Sequence, residues 1–145
     1  MVKYPLLSHA LVAVQFGAMG ALLLTGPLFA THPAGIAAQV SAVFVGLWAL
    51  ITLRRFNIVP DPRQDCTLVC HGPYRWIRHP MYLSILLFFT PLVVETPTLW
   101  RGILLAILTV DLIIKLLYEE TLLCRQLEGY AAYCTRSHRL IPFIW

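Results

Sequence analysis

Between two long apolar stretches lies HGPYRWIRHPMY, His71 to Tyr82, which concentrates two arginines, two histidines, two tyrosines and a tryptophan. Pro80 suits a first helical position, where no N–H donor is needed and the ring presets φ, so a helix is predicted to start at His79-Pro80. A helix start presents free N–H groups and a positive dipole end. Flanked by Arg75 and Arg78, it fits a carboxylate or phosphate. The same residue types also form the aromatic and basic belt that anchors a helix at a membrane surface, and the run alone admits both readings. A second chemical group is the pair Glu119-Glu120, at the end of a later apolar run. Carboxylates at a helix C-terminus oppose its dipole, and Lys115 cannot satisfy both, so they call for a further cation: Arg78 or a cationic ligand.

The elements that carry these groups are those of a membrane protein. Of 145 residues, 59% are hydrophobic and 12% charged, against roughly 25% charged in soluble domains. A membrane span needs about 20 apolar residues, so the length allows about four helices in a single domain, 1–145. The spans are expected at 6–29, 34–53, 80–98 and 100–117, followed by an amphipathic helical tail, 118–145, too polar to cross. The first run exceeds the roughly 7–15-residue core of a signal peptide, which predicts a span rather than a cleaved leader. His32-Pro33 turns it into the second, giving a tight helical hairpin. Pro60 and Pro62 forbid a continuous helix in the charged loop between Arg54 and His79, and Pro91 predicts a short or kinked third helix. Five Lys or Arg fall in the central loop and three in the tail, against none in the first connection and Arg101 alone in the third. Loop, tail and both termini are therefore assigned to the cytoplasm, where His71–Tyr82 and Glu119-Glu120 can meet.

Net charge is +4, clustered at membrane edges without the stripe that nucleic acid requires, so nucleic acid is rejected as a partner. The four cysteines lack CxxC pairs and zinc spacing, so no metal is expected, and as cytoplasmic thiols they read as small apolar residues. Asp111, Lys115 and Glu119 recur every four residues on one helix face. They either line a polar pocket or, for Asp111 and Lys115, form a mutually neutralising pair that lets the helix insert.

Two separated blocks resemble the integral-membrane methyltransferases that include isoprenylcysteine carboxyl methyltransferase and, more distantly, phosphatidylethanolamine N-methyltransferase. The first comprises Phe56-Asn57, Thr67-Leu68-Val69, Gly72-Pro73-Tyr74 and Arg78-His79-Pro80-Met81-Tyr82, similar to the family's FN, TLV, GxY and RHPxY elements. The second comprises Glu119-Glu120, Leu123, Gly129, Tyr130, Tyr133 and Ile141-Pro142-Phe143-Ile144, similar to its EExxL, GxxYxxY and PFI ending. Membrane sterol reductases that use NADPH share a stretch like RHPxY, and the paired glutamates favour the methyltransferases. Two departures are the four candidate spans, fewer than in eukaryotic members, and Leu127-Glu128-Gly129 in place of a phenylalanine-glycine approach to the first tyrosine.

The resemblance implies S-adenosylmethionine bound on the cytoplasmic side and a lipophilic acceptor arriving from the bilayer. Candidate cofactor-binding residues are Tyr74, Arg78, His79, Pro80, Tyr82, Glu119, Glu120 and Tyr133. Arg78 and His79 suit the cofactor's carboxylate, the glutamates its ammonium or ribose hydroxyls, and the tyrosines its sulfonium. Arg55 and Asn57 are the expected substrate-orienting residues, at the end of a lateral route between the short third helix and the first two spans. The expected acceptor is an isoprenylcysteine-like carboxylate, already ionised at neutral pH and needing no general base. Alternatives are a phospholipid amine or other small molecule, with His71 or His79 assisting deprotonation, an NADPH-dependent reductase, or a non-enzymatic membrane scaffold.

Overall fold

The computed structural model describes residues 5–53, 68–142 and 144. The elements are α1 (Pro5–Leu24), α2 (Pro33–Leu53), a 3-10 turn (Gly72–Arg75), α3 (Pro80–Glu95), α4 (Leu99–Gln126) and the short α5 (Tyr130–Cys134). Among the described residues there is no β-strand, only an isolated bridge, so the fold is all-α. Proline opens α2 and α3, and Thr98 caps α4 by accepting the Arg101 N–H at 3.3 Å. α1 and α2 are long and apolar enough to cross a membrane, whereas α3 has only 16 residues, about 24 Å, and carries Pro91 inside it.

Three boundaries differ from the sequence expectation. α1 stops at Leu24 rather than residue 29, because Gly26 and Pro27 cannot sustain a helix and Thr25 turns its hydroxyl back onto the Ala21 carbonyl at 2.6 Å. α3 ends at Glu95 rather than residue 98, ahead of Pro97. α4 does not stop at residue 117: it continues unbroken through Glu119 and Glu120 to Gln126. The part of the tail from 118 to 126 is therefore the rigid extension of α4.

The expected tight hairpin of the first two helices is not formed. α1 packs along α4 and α2 along α3, and α1 and α2 make no extensive contact with each other. Isolated polar residues account for this pairing. Arg101, 2% exposed at the start of α4, donates to the Leu22 carbonyl of α1 at 3.3 Å and to the Leu92 carbonyl of α3 at 2.9 Å. Its charge thus meets the negative ends of two helix dipoles. Gln39 of α2 accepts the Ala30 N–H at 2.8 Å and donates to the Leu28 and Phe88 carbonyls, tying the α1–α2 connection to α3. Glu95 receives the backbone N–H groups of Thr31 and His32 at 2.6 and 3.0 Å. The apolar core between these polar clamps is Ala18, Leu22, Phe89, Leu92, Leu108 and Leu112, with large aliphatic side chains left exposed on the outer faces of α1, α2 and α4. Such a surface is suited to lipid.

Candidate active site

At the other end of the bundle the approach to α3, the extended end of α4 and the residues after α5 converge. Gly72 enters the 3-10 turn at φ +61, where a Cβ would lie 2.6 Å from the Thr52 hydroxyl, and so only glycine seats this turn against α2. The segment after it is stitched to the C-terminal residues. Ile77 and His138 form a parallel bridge, the Arg78 and His79 N–H groups donate to the His138 and Arg139 carbonyls at 2.7 and 3.0 Å, and the His138 N–H donates to Trp76 at 2.9 Å. Gly129, at φ +82, makes the reversal that returns the chain from α4 into α5.

Arg78 is the central tie. Its Nε donates to Glu120 Oε1 at 2.6 Å, and the same guanidinium donates to the carbonyls of Cys134 (3.0 Å) and Ser137. Arg139 Nε donates to the second Glu120 oxygen at 3.0 Å. Burial alone would raise the Glu120 carboxyl, yet His79, Arg139 and Arg78 around it outweigh that cost and bring its pKa down to about 2. Glu120 is therefore a fixed negative charge.

Glu119, one residue earlier, is held differently. Its side chain is 29% exposed, and Oε2 accepts the Tyr82 hydroxyl at 3.0 Å. The buried His79 ring lies between the two carboxylates, with Nδ1 3.7 Å from Glu119 and Nε2 3.5 Å from Glu120, and it stacks on Tyr82 at 5.4 Å and 6°. No hydrogen bond reaches His79 Nε2. Tyr133 donates its hydroxyl to the Tyr74 carbonyl and stands 5.8 Å from Tyr130. Burial, then neighbouring Cys70, pushes the Tyr133 phenol up to about 12, and burial raises Tyr74 as well, so both phenols remain neutral.

Seven of the expected site residues, Tyr74, Arg78, His79, Tyr82, Glu119, Glu120 and Tyr133, are joined by these contacts, and Pro80 opens the helix beside them. Arg55 and Asn57 lie outside the described residues. The N–H groups of Tyr82 and Leu83 donate to the His79 carbonyl, and Arg78 is committed to Glu120 and two carbonyls. The groups left to meet a ligand at this helix start are Glu119 and the faces of the stacked rings. Arg139 and the Ser137 carbonyl join the site without having been expected there, since Arg139 reads in the sequence only as one more basic residue of the tail.

A second polar group runs from this site toward the middle of the bundle. Lys115, 1% exposed, donates to Gln15 of α1 and stands 6.0 Å over the Tyr82 ring. Asp111, one turn deeper and 3% exposed, receives no hydrogen bond on either oxygen. The charges of Asp111 and Lys115 act on each other as expected, but the hydrogen bond of Lys115 goes to Gln15, which reads in the sequence only as an interruption in an apolar run.

The family model described as phospholipid methyltransferase matches residues 30–128, a stretch that contains both Arg78–Tyr82 and Glu119-Glu120. No curated protein and no solved structure matches the chain significantly.

Proposed function

The chain belongs to the phospholipid methyltransferase family, and from that premise we propose that it transfers a methyl group from S-adenosylmethionine to the polar head of a lipophilic acceptor. The observation that carries this reading is the half-exposed Glu119 carboxylate beside the stacked His79 and Tyr82 rings, at the junction of α3 and α4. The donor set fits the cofactor. Glu119 has an oxygen beyond the one bound by Tyr82 for an ammonium or ribose hydroxyl, and aromatic faces attract a sulfonium. Bound there, S-adenosylmethionine supplies an electrophilic methyl group.

The chain's own residues do the positioning. Glu120, Arg78 and Arg139 hold the C-terminal residues over the α3 start, which narrows the access of water to the reacting groups. Tyr82 fixes the orientation of Glu119. We read α3 and α4 as crossing the membrane alongside α1 and α2 in one domain, with the site and both termini facing the cytoplasm and the acceptor sliding in laterally toward Arg55 and Asn57.

Two acceptor chemistries remain in play. An isoprenylcysteine-like carboxylate follows from the motif resemblance and needs no base. A phospholipid amine is favoured by a specific observation, the buried Asp111 carboxylate, which receives no hydrogen bond on either oxygen. The deciding experiment is calorimetry on detergent-purified protein with S-adenosylhomocysteine and NADPH, followed by labelled methyl transfer to a farnesylcysteine analogue and to phosphatidylethanolamine. Binding of S-adenosylhomocysteine with transfer to either lipid supports the proposal. Binding of NADPH alone would replace it with a reductase, and binding of neither would leave a membrane scaffold.

A further inference from the structure

Among the described residues, Asp111 is a buried carboxyl that the network of Arg78, Glu119 and Glu120 does not use. It lies two helical turns from Glu119 on the same face of α4, 3% exposed, and neither carboxylate oxygen receives a hydrogen bond. Two nearby polar groups direct their hydrogen bonds elsewhere, although the Lys115 charge still acts on Asp111. Lys115, on its own helix, donates to Gln15 of α1. Tyr82 of α3 donates to Glu119. A carboxylate buried without donors is among the most costly groups a protein can carry, and at membrane depth it marks a place where a donor arrives from outside the fold.

Resting on the methyltransferase reading above, we propose that Asp111 receives the ammonium group of a long-chain amine acceptor and takes its proton. The two open oxygens match a group with several N–H donors and one positive charge, which a carboxylate-headed acceptor lacks. The step balances as a proton transfer: an N–H bond of the ammonium breaks, an O–H bond forms on Asp111, and the nitrogen keeps the electron pair as a neutral amine. That lone pair is what a methyl group needs to be transferred to nitrogen, since an ammonium has none. Lys115 stays with Gln15 during this step, and the line Asp111, Lys115, Glu119 places the acceptor's head below the cofactor site.

The test compares dodecylamine with dodecanoate, whose chains are alike, by calorimetry on the detergent-solubilised full chain without cofactor. Dodecylamine is expected to bind at least tenfold more tightly, and Asp111→Asn to remove at least that factor while leaving dodecanoate and S-adenosylhomocysteine affinities unchanged. Equal dodecylamine affinity in Asp111→Asn overturns the proposal. If Asp111→Asn does not fold, Lys115→Met decides: a folded variant that keeps or gains dodecylamine affinity supports the proposal, and a folded variant that has lost it overturns it. In turnover of the amine, the Asp111→Asn deficit is expected to shrink by about tenfold per pH unit as the amine loses its own proton; a deficit independent of pH overturns the proton role. A preference for dodecanoate with S-adenosylhomocysteine still bound sinks this inference alone, whereas failure of the wild-type chain to bind S-adenosylhomocysteine sinks the methyltransferase reading beneath it.

Discussion

The two ends of the bundle each bury an arginine, and they use it in opposite ways. Arg101, at one end, meets no carboxylate among the described residues: it donates to the backbone carbonyls that close α1 and α3. Arg78, at the other, joins a carboxylate to two carbonyls and sits in a network with Arg139, His79 and Glu119. The first arrangement saturates helix ends and leaves little for a ligand to do. The second holds charge against charge, with one carboxylate partly exposed and an imidazole lying between two carboxylates. Charge that closes helices stabilises, and charge held against charge near solvent can bind.

The sharpest way to break the comparison is Arg101→Met. It leaves two carbonyls buried without donors and removes the cation from two helix ends, at a cost of about 3–5 kcal/mol. The expected outcome is a collapse of folded yield in detergent, with normal S-adenosylhomocysteine affinity in whatever fraction folds. A folded variant with selectively lost affinity would mean that the two ends are not separate in function.

Next in size is the pH response of Glu120. Its pKa is 4.5 ordinarily and about 2 in the folded chain. A carboxyl depressed on folding contributes stability above its unfolded value and loses it as pH falls toward the folded one, so the contribution, about 3 kcal/mol, is present above pH 4.5 and disappears toward pH 2. Thermal midpoints in detergent at pH 7, 5 and 3 are expected to fall more steeply for the wild type than for Glu120→Gln. Parallel curves would show that Glu120 is not the group responsible.

Arg78→Ala acts on the same network from the other side and sharpens the contrast with Arg101. Arg139 still neutralises Glu120, so the fold is expected to survive, but the Cys134 and Ser137 carbonyls lose their donor and the C-terminal residues loosen over the site. S-adenosylhomocysteine affinity is expected to drop more than tenfold, with faster proteolysis beyond Cys134. Unchanged affinity together with unchanged proteolysis would refute the role of the tie.

How much of this was legible in the sequence follows the same division. The helical class and the α3 start were readable because composition and Pro80 act locally. The meeting of the Arg78 and Glu119-Glu120 stretches was inferable because opposite charges in an apolar chain have few places to go. The pairing of α1 with α4 and of α2 with α3 was not. α1, α2 and α3 are apolar on nearly every side and carry no stripe that names the packing face. The choice is made by single polar residues, Gln15, Gln39 and Arg101, each of which reads in the sequence only as an interruption. The continuation of α4 to Gln126 was hidden too, because a polarity change marks the membrane edge and says nothing about where a helix ends.

The smallest expected effect belongs to Tyr133→Phe. The phenol donates to the Tyr74 carbonyl, joining α5 to the turn before α3, while its ring packs beside Tyr130. Phenylalanine keeps the ring and removes only the hydroxyl, so the cost is one hydrogen bond to a neutral carbonyl, about 1 kcal/mol. Because the bond orients Tyr74 without closing a helix or holding a charge, the thermal midpoint is expected to fall by a few degrees and S-adenosylhomocysteine affinity by no more than about threefold. Tyr133→Ala, which also deletes the ring, is expected to lose several-fold more of both. A Tyr133→Phe variant as impaired in binding as Arg78→Ala would place the hydroxyl itself against the ligand, and the charged network would then share its recognition role with a neutral donor.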